Sequence, residues 1–157
     1  MVIWFTGQPG SGKTTLANEL IRYLKSQDPN FLVINIDGDD LRMLSNNIDY
    51  SKKGRIKNIS NAITIMRFLA NKDFLCIASI VAPYRFLRDE LKGDLPFLEV
   101  YLHTDEIRGR EEFFAEDYEK PIDPNHLSIN TGALTIKESL NEILNVYRKM
   151  AAMAQRS

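Results

Sequence analysis

The sequence predicts a three-layer α/β fold around a mostly parallel five-stranded sheet. Two observations predict it. Short β-type runs alternate with helical patterns along the chain, and those runs are apolar enough to be buried on both faces, as parallel strands are beneath covering helices. The expected strands are Val2–Thr6, Phe31–Ile36, Phe74–Val81, Phe97–His103 and a weaker Leu127–Asn130. After the first, Leu16, Leu20 and Leu24 recur at helical spacing within Thr15–Leu24. Ile56, Ile59, Ile63, Met66, Leu69 and Ala70 then form one apolar helical stripe. Pro83 followed by Tyr84, Leu87 and Leu91 predicts a short helix with proline in its first turn. Thr135-Ile136-Lys137-Glu138 is a capping box opening the last helix, whose stripe is Leu140, Ile143, Leu144, Tyr147 and Met150. No internal repeat, low-complexity segment or long linker interrupts this order. The 157 residues therefore read as a single domain, long enough to bury roughly 70% of the unfolded surface.

Composition narrows the function by exclusion. A net charge of −1 leaves no global basic field, so neither nucleic acid nor an anionic membrane is an expected partner. No apolar run approaches transmembrane length, and the amino terminus lacks the basic region of a secretory signal. A cytoplasmic enzyme is expected. The lone Cys76 lies inside an apolar run and reads as a buried structural thiol. His103 and His126 stand alone at strand ends without metal-ligand spacing, and read as core or surface histidines.

The most specific motif is Gly7-Gln8-Pro9-Gly10-Ser11-Gly12-Lys13-Thr14, which fits G-x-x-x-x-G-K-[ST] between a predicted strand and a predicted helix. Its glycines let the backbone curl until successive N–H groups face an anion, and the helix amino terminus adds partial positive charge. The expected phosphate-binding residues are Gly7, Gly10, Ser11, Gly12, Lys13, Thr14 and Thr15. Lys13 would reach the β- and γ-phosphates of ATP, and the Thr14 hydroxyl would ligate Mg²⁺. The predicted architecture is thus a three-layer P-loop NTPase fold that holds a nucleoside triphosphate.

In open α/β sheets, ligands bind beyond the carboxyl ends of the strands, so the loops after Thr6, Ile36, Val81 and His103 are the places to look. The second predicted strand ends in Asp37-Gly38-Asp39-Asp40-Leu41-Arg42. Three carboxylates around a glycine have two readings. They serve phosphoryl transfer, one accepting a hydroxyl proton and another holding Mg²⁺ through water. Alternatively they form a solvated turn in which Asp39 or Asp40 caps the next helix. Asn71-Lys72-Asp73-Phe74 differs from the guanine-reading Asn-Lys-x-Asp, because its carboxylate is one place early and it precedes a strand.

These elements in series carry a resemblance. Gly7-x-x-Gly10-Ser11-Gly12-Lys13-Thr14-Thr15, Asp37-Gly38-Asp39-x-Leu41-Arg42 and Arg55-x-x-Asn58-Ile59 resemble the adenylylsulfate kinase family. The likeness continues through Ala82-Pro83-Tyr84-Arg85-x-x-Arg88, Phe97-Leu98-Glu99-Val100-Tyr101-Leu102-His103-Thr104 and Tyr118-Glu119-x-Pro121. It implies one P-loop kinase domain over residues 1–157 that phosphorylates the 3′-hydroxyl of adenosine 5′-phosphosulfate with MgATP. By the same resemblance Asp39 is the base, and Asp37 supports the metal and the loop. Arg42 and Arg55 bind the phosphosulfate end, with forks suited to bidentate oxyanion contacts. Asn58 and Ile59 lie beside that site, Tyr50 stacks on the acceptor's base, and Pro83 opens the loop lining that base. Read from the residues alone, the alternative for Arg55, Asn58 and Arg88 is a solvated polar helix face, and Tyr50 is equally a surface aromatic. The expected partner is a small nucleotide acceptor, with a homodimer as the protein assembly left open.

The resemblance breaks after Thr104. The family has a long basic lid there, whereas this chain runs Asp105-Glu106-Ile107-Arg108-Gly109-Arg110-Glu111-Glu112-Phe113-Phe114-Ala115-Glu116-Asp117. Lids exclude water and complete a charge clamp. Either Arg108 or Arg110 is placed to cross to the donor phosphates, with Arg110 preferred. Phe113 and Phe114 read as core packing, the alternative being that they rebuild part of the lost wall. The shortened lid also admits a different acceptor, such as cytidine diphosphoramidate, or a nucleotide-binding module without turnover.

Overall fold

Val2–Thr6 (β1) is the central strand of a five-stranded sheet in a computed structural model that describes residues 1–154. The sheet order is β2-β3-β1-β4-β5, where β2 is Val33–Asp37, β3 Leu75–Ser79, β4 Phe97–His103 and β5 Leu127–Asn130. Every pairing is parallel, with Val2 registered against both Cys76 and Phe97. Strands β1, β4 and β5 have the expected bounds; β2 starts two residues later and runs one further, to Asp37, and β3 is shorter at both ends. Phe31 closes a turn onto Asp28, and the chain leaves β3 toward Ala82, whose φ of 41° ends extended structure. Apolar character continues past both ladder ends, so it could not mark them.

Alternation along β1 divides the core. Val2 and Trp4 pack with Ile63 and Met66 of α3 (Lys52–Ala70). Ile3 and Phe5 pack with Leu16 and Leu20 of α1 (Lys13–Gln27) and Ile143 of α5 (Ile136–Ala154). These four apolar β1 side chains are fully buried, each contributing roughly 1.5–3 kcal/mol. The capping box is formed: the Glu138 carboxylate accepts from the Thr135 N–H at 2.8 Å, and the Glu138 N–H donates to the Thr135 hydroxyl. Helix α1 starts at Lys13 rather than Thr15, directly from the glycine loop. A further helix, α2 (Gly38–Ser45), follows β2. Among the described residues no helix is long and apolar enough to cross a membrane. Cys76 is buried, and burial pushes its thiol up to about 11.

Helix α4 (Arg85–Asp89) begins later than expected. Pro83 precedes the cap residue Tyr84, which is still extended, so the proline lies outside the first turn. Arg88 is not on a solvated face. It is 0% exposed, and its Nε donates to the Glu99 carboxylate of β4 at 2.7 Å. Nη1 and Nη2 donate to the carbonyls of Ala82 and Glu119, both at 2.6 Å. Removing one partner of such a pair strands the other in low dielectric. Arg88→Ala is therefore expected to cost about 3 kcal/mol or more in urea denaturation. Arg67→Ala removes exposed ion pairs to Glu90 and Asp94, and is expected to cost under about 1 kcal/mol. Equal midpoints for the two variants would contradict this account.

Candidate active site

Beyond the carboxyl ends of β1, β2 and β3 lies a cavity of about 910 Å³, at the upper end of ordinary ligand sites. The phosphate loop forms its floor. Gly7, Gly10 and Gly12 all have positive φ, and a Cβ at Gly7 would meet the Leu102 carbonyl oxygen at 2.2 Å. Only glycine permits that approach. The loop delivers Lys13 to the first position of α1, where free backbone N–H groups and the helix dipole favour anions.

Gly10, Gly12, Lys13, Thr14 and Thr15 line the cavity. Gly7 and Ser11 do not. Both are buried under the loop, where the Gly7 carbonyl and the Ser11 hydroxyl accept from Lys13 Nζ at 3.0 and 3.3 Å. The Gln8 carbonyl accepts from the same ammonium at 2.8 Å. Burial lowers the Lys13 pKa to about 8, with Asp37 and Asp39 opposing the shift and Arg110 reinforcing it.

Asp37, the last residue of β2, is the cap of α2, a role the sequence offered to Asp39 or Asp40. Its Oδ1 accepts from the Asp39 N–H at 2.9 Å. Its Oδ2 accepts from the Thr14 hydroxyl at 2.8 Å and the Ser79 hydroxyl at 3.0 Å. Ser79 was not singled out in the sequence; the available signal was a hydroxyl ending an otherwise apolar strand. Thr14, Asp37 and Ser79 form an all-oxygen set, suited to Mg²⁺ that keeps water and phosphate as its other ligands. Among the described residues there is no cluster of three or more His, Cys, Asp or Glu able to hold a metal unaided.

The other half of the cavity is basic and aromatic. Asp39 stands exposed on the first turn of α2, and Arg42 follows on that helix. Arg42 donates to the carbonyls of Asn47 and Asp49, and its guanidinium lies 4.1 Å from the centre of the Tyr50 ring. Arg55 Nε donates to the Tyr50 carbonyl at 2.9 Å. This loop wraps tightly around α3, where a Cβ on Gly54 would meet the Asp49 carbonyl oxygen at 2.1 Å. Asn58 and Ile59 line the cavity from α3 and are buried, so Asn58 is not on a solvated face. Asn58 Nδ2 donates to the Gly38 carbonyl, and Oδ1 is buried without a hydrogen-bond partner. Pro83 forms the far wall.

The shortened segment after β4 crosses above the phosphate loop. Arg108 is held by the carbonyls of Gly10 and Thr131 and by Glu106. Arg108 and Arg110 both line the cavity, and Arg110 stacks on Phe113 at 5.4 Å. Phe113 and Phe114 are 45% and 42% exposed, which corrects the core-packing reading; Phe113 also lines the cavity. A three-residue turn, Glu111–Phe113, is too short to bury both rings.

The sequence model of the adenylylsulphate kinase family matches residues 1–125. The chain belongs to this family. An adenylyl-sulfate kinase of Halothermothrix orenii is 30% identical, with 92% of this chain and 87% of the relative covered. One of Lactiplantibacillus plantarum is 29% identical over 92% of this chain and 79% of its own length. That alignment spans 167 positions, more than the 157 residues here, so it carries gaps on this chain's side. A Mycobacterium tuberculosis APS kinase solved in complex with AMPPNP and APS shares the fold, with a TM-score of 0.77 at 22% identity over 94% of this chain and 96% of that one. A hexameric APS kinase from Thiobacillus denitrificans is 28% identical with a TM-score of 0.74, covering 94% of this chain but 28% of that one.

Lys13 links nucleotide binding to pH. Its pKa in the fold, about 8, lies below the ordinary 10.5. The buried ammonium therefore opposes folding below pH 8, and that cost is relieved as pH rises toward 10.5. Bound phosphates favour the charged form. Calorimetry at pH 9 in buffers of different ionisation enthalpy is expected to show uptake of up to about one proton on MgADP binding. Lys13→Met should abolish it; equal uptake by that variant would assign the proton elsewhere.

Proposed function

We propose that the chain is an ATP-dependent kinase that phosphorylates the ribose 3′-hydroxyl of adenosine 5′-phosphosulfate and releases ADP. The observation that carries this reading is the place of Asp39, within one cavity that also holds the phosphate loop and the basic basin of Arg42 and Arg55. A structural neighbour that binds AMPPNP and APS together supports donor and acceptor sharing such a cavity. The balance of charge also supports it: Lys13, Arg42, Arg55, Arg108 and Arg110 line the cavity with Asp37 and Asp39, a positive excess suited to two polyanionic substrates.

In this mechanism Asp39 accepts the proton of the 3′-hydroxyl as its oxygen attacks the γ-phosphorus. The bond from that phosphorus to the β–γ bridging oxygen breaks, and ADP leaves. Lys13 and Arg110 stabilise charge on the transferring group. Thr14 and Asp37 would hold Mg²⁺, which when bound neutralises charge on the phosphate oxygens. Arg42 and Arg55 take the phosphosulfate end. Tyr50, over whose ring Arg42 and Arg55 lie at 4.1 and 6.0 Å from the centre, stacks on the acceptor's base. Asn58 Oδ1 is a buried acceptor that a ribose hydroxyl would satisfy. The same reading makes residues 1–157 one kinase domain, cytoplasmic where ATP is supplied, and able to pair with a second copy.

ADP release coupled to adenylylsulfate is the direct assay. Asp39→Asn is expected to lower kcat by about 10²- to 10⁴-fold with MgADP binding unchanged; retention of most kcat would remove Asp39 as the base. Run in parallel, cytidine diphosphoramidate should turn over more slowly than adenylylsulfate. Faster turnover of the cytidine compound would overturn the acceptor assignment.

A further inference from the structure

The segment that replaces a long lid is fastened at both ends. At its start, Arg108 Nη1 donates to the Gly10 carbonyl at 3.0 Å and the Thr131 hydroxyl at 3.1 Å. At its end, Ala115 exchanges two hydrogen bonds with the side chain of Gln8. Gln8 Nε2 donates to the Ala115 carbonyl, and the Ala115 N–H donates to Gln8 Oε1, both at 2.9 Å. The amide side chain thereby does for one buried residue, 4% exposed, what a neighbouring strand would do. Between the two fasteners lie Arg110 and Phe113, which line the cavity together with Arg108 itself.

Gln8 itself sits inside the phosphate-loop motif but outside the cavity lining. Its backbone carbonyl accepts from Lys13 Nζ at 2.8 Å. One residue therefore grips the donor-site lysine through its backbone and the crossing segment through its side chain. The glycine-loop pattern leaves this position free, so phosphate binding alone does not require glutamine. An apolar side chain of equal length would leave the Ala115 N–H without a partner and its carbonyl with the Tyr118 N–H alone, at 3.3 Å.

We propose that Gln8 is a positioning residue: it locks residues 108–115 onto the phosphate loop, and so sets Arg110 and Phe113 over the cavity without a closing lid. The proposal rests on the kinase reading for its kinetic consequences, but not for its structural ones. Gln8→Met keeps the length and the backbone carbonyl and removes both side-chain bonds. Hydrogen–deuterium exchange on the full chain is expected to show amides 111–115 exchanging about tenfold faster or more in the variant. MgADP affinity should stay within about twofold, because the loop backbone is unchanged. With adenylylsulfate, kcat should fall about tenfold, and this loss should vanish in an Arg110→Ala background. Unchanged exchange overturns the proposal, as does an equal loss of kcat with and without Arg110. Should the wild type fail to turn over adenylylsulfate, the kinase reading fails, while exchange and MgADP affinity still decide the role of Gln8.

Discussion

A single buried guanidinium organises the far wall of the cavity. Arg88 reaches β4 through Glu99, the loop after β3 through the Ala82 carbonyl, and the chain after the crossing segment through the Glu119 carbonyl. Those three strands of chain have little sequence proximity and no shared ladder. Ala82 is held in a left-handed conformation without being glycine, which costs of order 1 kcal/mol or more. It directly precedes a proline, a placement that normally favours extended backbone. The charge-assisted bond from Arg88 fixes that carbonyl, and the Glu119 N–H donates to the Pro83 carbonyl from the other side. The far wall of the cavity is thus a strained turn held in place from beneath.

The donor side depends on Asp37 in a comparable way. One carboxylate accepts from the end of β3, the start of α1 and the first turn of α2. Asp39 and Arg42 ride on that last helix, so their placement relative to the phosphate loop is set by hydrogen bonds to a residue that is itself a candidate for metal support. Moving the Asp37 carboxylate would disturb both halves together. Asn58 reinforces the same joint by donating to the Gly38 carbonyl, which ties α3 to the start of α2.

Much of this was legible in the sequence because it rests on local pattern. The glycine loop, the parallel strands and the capping box each follow from spacing within a few residues. Asp37, Asp39, Arg42 and Arg55 were found as short motifs, and the fold brings them to one cavity. What escaped depends on tertiary partners. Arg88 reads as a surface arginine until Glu99 is placed opposite it, and Phe113 reads as core until the turn carrying it proves too short to bury. Ser79 matters only because β3 ends beside Asp37. Strand ends were misjudged where apolar residues continue beyond the hydrogen-bonded ladder.

A long lid that closes over substrates spends binding energy on its own ordering, and in return excludes water and completes the site. The short crossing segment here makes the opposite exchange. Pinned through Arg108 and Ala115, it is ordered before any substrate arrives, so less free energy is lost when one binds. Its reach is correspondingly small, and it cannot wrap an acceptor from above. In the proposed kinase, recognition then falls on walls that are already held: Tyr50 on a loop clamped to Gly54, Asn58 on α3 and Pro83 on the turn that Arg88 holds. A site of this kind discriminates by the shape and donor pattern of fixed surfaces rather than by induced closure. The proposal therefore puts the determinants of acceptor choice in the floor and sides of the cavity, below the short crossing segment.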